Sequence, residues 1–294
     1  MILLRVMMWN VDQGVTQGEC RLAKILDVPT QELDAVRISR RYHYRPFAVP
    51  KKKGGQRHIL APSPALKALQ QRLLRHYLQR LPIHPAATAF HPGASIVHNA
   101  RHHAGHAIVA TVDLADFFSS TTAQRVRAFF LAHGWHGKAL RVLMRLCTYR
   151  NSLPQGAPTS PCLSNLVNVE LDGALDELAR RAQATYTRYG DDLTFSWPTT
   201  DLPSWFQPAV ERKLLAVGYR IQPQKGWHIT SLAAEPEITG VVLRSNGCIA
   251  PPRRMRAQIG SLRRRLGWLR ILGGNMAMTQ MRLHGYQGFL HMFK

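Results

Sequence analysis

Two adjacent acids between strand-like segments constrain this chain most. Asp191 and Asp192 follow residues 184–189 and precede residues 193–197, and both flanking segments are rich in the β-branched and aromatic side chains that favour strands. Gly190 tolerates the positive φ of a tight turn. The pattern therefore predicts a β-hairpin with both carboxylates at its turn. Because touching carboxylates repel each other, we expect a cation beside them.

A third acid, Asp113, stands where the apolar, strand-like residues 107–112 end. Mg²⁺ takes oxygen ligands and keeps positions for substrate phosphates, so a third carboxylate beside the pair completes a candidate metal site. Such acids hold two divalent ions about 4 Å apart, which activate an attacking oxygen and stabilise a leaving one. We predict phosphoryl or nucleotidyl transfer with two Mg²⁺ ions, for which Mn²⁺ can substitute. Asp116 is expected to be a capping or supporting group and not a ligand.

The charge of the chain predicts a polyanionic partner. Lys and Arg number 39 against 17 Asp and Glu, which gives a formal net charge of +22. A field of that sign attracts phosphate backbones, although a basic surface without a specific partner is the alternative. The arginines beside an apolar helical stripe near the end of the chain predict a nucleic-acid-binding face: Arg253, Arg254, Arg256, Arg263, Arg264 and Arg265.

Two further segments are predicted to contact a nucleotide. Residues 42–60 form two strand-like runs around a tip of three lysines and two glycines, where Lys52, Lys53 and Arg57 can close on a triphosphate. A solvated run of charges is the alternative for this tip. The loop 153–161 contains three prolines, and its Gln155 and Gly156 can approach a base pair or sugar closely.

The order of the segments predicts an α+β fold, with an antiparallel sheet backed by helices on one face. We expect one helix through residues 163–178 and a strand at residues 219–221. The four scattered cysteines predict neither a zinc site nor a disulfide framework. We therefore expect a cytoplasmic protein with no signal peptide and no membrane partner. The histidines of residues 98–106 lack nearby acidic or cysteine ligands, which favours a polar lead-in to a strand over a metal site.

Three motifs resemble reverse transcriptases in order and spacing. They are the Asp113 strand followed by Phe117-Phe118, the loop 153–161 and the Tyr-Gly-Asp-Asp string at residues 189–192. Within that superfamily, the Asp-Asp-Leu-Thr-Phe-Ser string, the Ala-Pro-Thr-Ser-Pro variant, the segment 238–241 and the compact length most resemble bacterial retron reverse transcriptases. Gly190 is a departure, since retron enzymes often carry alanine there.

The resemblance implies a right-hand polymerase. Its parts are expected to be an N-terminal helical extension at residues 1–40, fingers at 41–105, a palm at 106–250 with a fingers insertion near 121–152, and a short helical thumb at 251–294. The Asn246-Gly247 hairpin would then be the primer grip. The residues alone predict only the α+β layout with an antiparallel sheet.

The resemblance also implies roles for individual residues. Asp113, Asp191 and Asp192 resemble the catalytic metal-binding acids, and the backbone carbonyl of Leu114 is expected to add a ligand. Phe118 resembles the bulky gate that excludes a ribose 2′-hydroxyl, and Lys225 resembles the lysine proposed as general acid for pyrophosphate. The residues expected to contact the incoming nucleotide are Lys52, Lys53, Arg57, Phe118, Gln155 and Lys225.

A retron enzyme is expected to copy part of a structured noncoding RNA from its own locus into single-stranded DNA, starting from a 2′-hydroxyl of a guanosine. The resemblance thus implies a cognate RNA, its RNA–DNA product and deoxynucleotides as partners, and a role in antiphage defence with an effector protein encoded nearby. A group II intron or other mobile-element reverse transcriptase is the alternative enzyme. The early end of the chain is expected to argue against it. A non-catalytic RNA-binding scaffold is the alternative outside catalysis, against which we count the intact acids.

Overall fold

The computed structural model describes residues 16–39, 41–50, 55–272 and 275–293, in two compact units. The first unit consists of Met1–Arg80 and Ala123–Thr159, and the second of Leu81–Thr122 and Ser160–Lys294. The chain crosses between them at three places, after Arg80, Thr122 and Thr159. The naming of fingers, palm and thumb stays a prediction.

Helices and strands alternate irregularly along the chain. Up to residue 147 they are α1 (Gln17–Leu26), α2 (Glu32–Ile38), β1 (Tyr44–Pro50), β2 (Gln56–Pro62), α3 (Pro64–His76), α4 (Ile96–Arg101), β3 (Ile108–Asp113), α5 (Phe117–Ser120), α6 (Ala123–Ala132) and α7 (Gly137–Cys147). From residue 160 they are α8 (Ser160–Val167), α9 (Val169–Arg181), β4 (Thr185–Tyr189), β5 (Asp192–Trp197), α10 (Phe206–Ala216), β6 (Trp227–Ser231), β7 (Glu237–Ile238), β8 (Val241–Leu243), β9 (Ile249–Ala250), α11 (Arg253–Ile271) and α12 (Ala277–His291).

In the first unit, β1 and β2 form an antiparallel hairpin that runs from Tyr44 opposite Pro62 to Pro50 opposite Gln56. The lysines of its tip lie at residues 51–53, outside the described residues. The Ser63 hydroxyl then accepts a hydrogen bond from the backbone N–H of Leu66 and caps α3, with Pro64 in the first turn. A serine followed by proline thus sets the start of this helix.

Lys138 and Arg21 are among the side chains that hold helices α1 and α2 to the rest of the first unit. The Nζ of Lys138, on α7, lies 2.7 Å from a carboxylate oxygen of Asp34 and 3.5 Å from one of Glu19. The guanidinium of Arg21 lies over the buried ring of Trp135, 4.4 Å from its centroid. Residues 16–39 thus pack as part of this unit.

The second unit is built on an antiparallel sheet with strand order β4-β5-β3-β6, which confirms the predicted sheet type. Side chains alternate along a strand, so Ala110 and Val112 of β3 share a face with Leu193 and Phe195 of β5. This face packs on α9 and α10 in the larger core cluster of the unit.

The opposite face of the sheet is covered as well, which corrects the expectation of helices on one face only. Val109 of β3 packs there with Val97 of α4 and with Ile238 of a small antiparallel sheet, β7-β8-β9. The sequence signal for this layer was weak because β7 and β9 are two residues long. The Asn246-Gly247 turn connects β8 to β9, and Gly247 has a φ of 77°.

Two expected elements differ in the structure. Residues 163–178 belong to two helices, α8 and α9, which meet at Asn168, where the side-chain amide donates to the Ser164 carbonyl at 2.7 Å and to the Tyr219 hydroxyl at 2.9 Å. Residues 219–221 form no strand and only one bridge, from Ile221 to Leu114. Their apolar side chains pack into the core instead of extending the ladder. Within the described ranges, every helix is too short or too polar to cross a bilayer.

Candidate active site

The adjacent acids lie at the turn of the hairpin formed by β4 and β5. Tyr189 pairs with Asp192, and Gly190 and Asp191 form the turn between them. Gly190 has a φ of 69°, the left-handed region that glycine adopts without steric cost. The predicted hairpin is therefore present, with one acid in the turn and one at the first position of β5.

Asp113 lies directly opposite Asp192 in the antiparallel pairing of β3 with β5. The backbone N–H of Leu114 donates to the carbonyl of Asp191 at 2.9 Å, so the ladder continues past the end of β3. Because Val112 and Leu193 face the core, the alternation places both neighbouring acids on the other face of the sheet. Strand register thus places Asp113 beside Asp192, and Asp191 lies in the adjoining turn.

Asp113 is the direct cross-strand neighbour of Asp192, so their carboxyl groups influence each other. Burial raises the pKa of Asp192 to about 8, with further contributions from the Asp113 hydrogen bond and from the negative charges of Asp191 and Asp113. Burial and the neighbouring acids thus both disfavour a negative charge on Asp192.

Lys225 is the cation beside these acids in the structure. Its Nζ lies 2.6 Å from Oδ1 of Asp113. Partial burial opposes a charge on Lys225, but the Asp113 hydrogen bond and the charges of Asp113, Asp192 and Asp191 outweigh it, so its pKa lies above the usual value. The predicted lysine thus belongs to the acid cluster and stays protonated at neutral pH.

The residues present fit a divalent cation. In the described part of the chain, no group of three His, Cys, Asp or Glu side chains is already arranged as a metal site. The donor chemistry nevertheless suits Mg²⁺, since adjacent carboxylate oxygens are its usual protein ligands. The pKa of Asp192 is raised even though the positive charge of Lys225 lowers it. This shift indicates negative charge in the cluster that a divalent ion would neutralise. The residues that could hold the ion are Asp113, Asp191 and Asp192.

Phe118 lies on α5, in the segment that follows β3 and Leu114. Its partly buried ring lies 5.4 Å from the ring of Phe117, which stacks on Tyr219 at 5.5 Å. The Tyr219 hydroxyl is 2.6 Å from the hydroxyl oxygen of Thr121, at the end of α5. A buried aromatic and hydroxyl cluster thus fixes the helix that carries Phe118.

The other predicted nucleotide contacts belong to the first unit. The Gln155 carbonyl accepts a hydrogen bond from the backbone N–H of Leu60, 2.8 Å away. A Cβ at Gly156 would lie 2.8 Å from the Leu60 carbonyl oxygen, so the loop approaches β2 as only glycine allows. Arg57 is exposed on β2. Lys52 and Lys53 lie outside the described residues, and their role stays a prediction.

The arginines predicted to bind nucleic acid all belong to α11. Arg263, Arg264 and Arg265 are exposed in the middle of this helix. Arg254 differs, because its guanidinium is paired with the carboxylate of Glu237. The side chains of Arg253 and Arg256 lie outside the described part of the structure.

Comparison with known proteins decides the family. Residues 49–243 match the family described as Reverse transcriptase (RNA-dependent DNA polymerase). The chain belongs to the reverse transcriptase family. Among similar members, Retron Mx162 reverse transcriptase of Myxococcus xanthus is 35% identical over 284 residues, which cover 85% of this chain and 58% of that protein.

Two other members of the reverse transcriptase family have a comparable sequence identity to this chain. Retron Mx65 reverse transcriptase of Myxococcus xanthus is 37% identical over 69% of this chain and 52% of its own length. Retron Ec86 reverse transcriptase of Escherichia coli is 38% identical over 60% of this chain and 55% of its own length. The chain spans about half the length of these relatives, so the position of its last residue favours neither retrons nor mobile elements.

Sequence reasoning missed a buried ion pair beneath the acid hairpin of this family member. Arg188 and Asp172 are both fully buried, and the Arg188 side chain also donates to the Gly190 carbonyl at 3.2 Å. A fully buried histidine was missed as well: His103 lies 2.7 Å from the hydroxyls of both Ser196 and Thr187. The sequence did not indicate that these two side chains are buried, because Arg188 stands next to the end of a strand and His103 stands in a polar segment.

Proposed function

We propose that this protein is the RNA-directed DNA polymerase of a retron, which copies part of a cognate structured RNA into single-stranded DNA. The pairing of Asp113 with Asp192 at the ends of two adjacent strands carries the proposal, because it builds a cluster of acids at one edge of the sheet. The similarity to several proteins named as retron reverse transcriptases supports the choice of substrate.

In the proposed reaction, Asp113, Asp191 and Asp192 hold two Mg²⁺ ions, with the Leu114 carbonyl as a further ligand. The bound ions supply activation of the primer hydroxyl and neutralisation of phosphate charge. Lys225 is protonated next to Asp113 and is the candidate donor of a proton to the departing pyrophosphate.

The remaining residues select and orient the nucleotide in this proposal. Phe118 excludes a ribose 2′-hydroxyl, and Gln155 lies along the incoming nucleotide. Lys52, Lys53 and Arg57 bind its phosphates as charge-assisted donors. The arginines of α11 bind the backbone of the template–product duplex.

Polymerase activity is tested by incorporation of labelled deoxynucleotides on RNA, including RNA that copurifies with the protein, in Mg²⁺ and in Mn²⁺. We expect incorporation by the wild type and none by the variant that combines Asp191→Asn with Asp192→Asn. Asp201→Asn is the matched control, since this exposed acid lies beyond the other end of β5. Absence of extension by the wild type on every RNA would refute the proposal.

The retron assignment is tested by sequencing the nucleic acid bound to the purified protein. A branched RNA–DNA species joined through a 2′-hydroxyl supports a retron, whereas an intron RNA would identify a mobile-element enzyme. Bound RNA without any DNA product, together with an inactive wild type, would identify a binding scaffold. A defence role predicts that the Asp191→Asn and Asp192→Asn changes abolish protection in a phage-infection assay of the whole locus.

A further inference from the structure

Residues 86–89 form a short edge beside the acid hairpin. The backbone N–H of Arg188 donates to the Ala86 carbonyl at 2.7 Å, and the N–H of Thr88 donates to the Arg188 carbonyl at 2.9 Å. The side-chain amide of Asn165 donates to the Ala89 carbonyl at 2.6 Å. These bonds fix the segment along β4, and the next residue, Phe90, therefore emerges close to the hairpin turn.

Phe90 combines two unfavourable properties at this position. It has a φ of 63°, which is strained for a residue with a Cβ, and its large apolar side chain is 37% exposed. The four preceding residues are all buried. Strained backbone held in place by surrounding hydrogen bonds is concentrated at functional sites. The conformation and exposure of Phe90 therefore indicate a role in the neighbouring site.

The Phe90 ring contacts both loops that carry the acids. Its centroid lies 6.2 Å from that of Phe118, in the segment after Asp113. On the hairpin side, a Cβ added to Gly190 would lie only 3.0 Å from Cζ of Phe90. The ring thus lies beside the turn and next to the ring of Phe118.

We propose that Phe90 is a positioning residue for sugar selection, which acts by holding the ring of Phe118 in place. The inference rests on the proposed function, in which Phe118 is the gate. Phe117 supports Phe118 from within the core, where it is fixed by Tyr219. Phe90 is the exposed neighbour, so its ring can be removed without opening that core. Gly190 belongs to the same arrangement, because a larger residue there would displace the Phe90 ring.

The test measures the ratio of kcat/KM for a deoxynucleotide to that for the matching ribonucleotide in single-nucleotide extension. We expect Phe118→Ala to lower the ratio strongly and Phe90→Ala to lower it roughly three- to tenfold, the effect of losing one aromatic contact. The double variant should match Phe118→Ala alone, because the two residues act through one ring. Phe90→Tyr, which keeps the ring, should retain the wild-type ratio.

Controls separate this role from general stability. Trp205→Ala removes another exposed aromatic of the same unit and should leave the ratio unchanged. Gly190→Ala should lower the ratio in the wild-type background and change it less once Phe90 is alanine. An unchanged ratio in Phe90→Ala, or effects of Phe90→Ala and Phe118→Ala that multiply, would overturn the inference. So would an unchanged ratio in Phe118→Ala. A wild type that extends no primer would overturn the proposed function itself.

Discussion

Arg188 and Asp172 form a two-point ion pair in which both side chains are fully buried. Nε of Arg188 lies 2.8 Å from Oδ1 of Asp172, and Nη2 lies 2.7 Å from Oδ2. The Tyr186 hydroxyl donates to the same carboxylate at 3.0 Å. Since the third guanidinium nitrogen donates to the Gly190 carbonyl, the pair connects α9 to the turn that carries Asp191.

Asp172→Asn is expected to destabilise the protein strongly. Removing one partner of a buried ion pair leaves the other charge unpaired, which costs about 3–5 kcal/mol. Asp176→Asn is the control on the same helix, because its partner Arg180 is 69% exposed and solvent-exposed pairs contribute about 0.5 kcal/mol. Urea denaturation followed by tryptophan fluorescence measures both. Equal losses in the two variants would contradict a special role for the buried pair.

Metal affinity is expected to rise with pH. Burial and the neighbouring acids raise the pKa of Asp192 to about 8, so below that pH a metal ion must displace a proton. The apparent affinity for Mn²⁺ should therefore weaken by roughly tenfold for each pH unit below about 8 and level off above it. Calorimetric titration at several pH values measures this slope. Asp192→Asn should remove it, and a pH-independent affinity in the wild type would refute the prediction.

His103 is expected to make the protein sensitive to acid. Burial lowers the pKa of His103 to about 3, with smaller contributions from His102 and His106, while the unfolded chain binds the proton near the ordinary value of 6.5. The stabilising contribution is therefore present above about pH 6.5 and is lost as the pH falls towards 3. Between about pH 7 and pH 5 the linked loss is about 2 kcal/mol.

The measurement for His103 is the free energy of unfolding at these two pH values. His103→Asn should be less stable at neutral pH but should lose less on acidification than the wild type. His58→Asn changes an exposed histidine and should follow the wild type. His106 also bonds Ser196 and has a pKa lowered by burial, so a variant with both changes should be the least sensitive to acid.

The exposed arginines of α11 are expected to set the salt dependence of RNA binding. Each phosphate contact that is lost reduces the slope of log K against log salt by about one. Replacing Arg263, Arg264 and Arg265 by alanine should therefore reduce the slope by about three if all three contact phosphates. Arg244→Ala is the control, because that guanidinium is paired with Glu235. An unchanged slope in the triple variant would mean that these three arginines do not contact phosphates.

Local signals were sufficient for the acid hairpin and for Asp113. A glycine turn between β-branched segments predicts a hairpin, and an apolar strand that ends in an acid predicts a side chain at a sheet edge. The pairing of the two segments followed from the chemistry expected of three acids. The cap of α3 at Ser63 was equally local, since a hydroxyl followed by proline specifies a helix start.

Contacts between distant residues explain what the sequence did not reveal. Asp172 lies on α9 among apolar positions and becomes significant only when Arg188 is packed against it. Phe90 lies in a loop whose place beside β4 depends on backbone bonds to Arg188. The break at Asn168 depends on the Tyr219 hydroxyl, which is 51 residues further along the chain. Such partners are chosen by tertiary packing, so no local pattern indicates them.

The alignment of Asp113 with Asp192 also limits how this protein can change in length. One residue inserted within β3 would turn Asp113 to the face of the sheet that packs on α9 and α10, because side chains alternate at every step. Insertions between β5 and α10, in the exposed stretch around Asp201, leave that alignment intact. Descendants of this chain can therefore gain or lose residues after β5, at the end of the hairpin opposite its turn. In contrast, β3, which starts at Ile108, and β5, which ends at Trp197, must keep their number of residues.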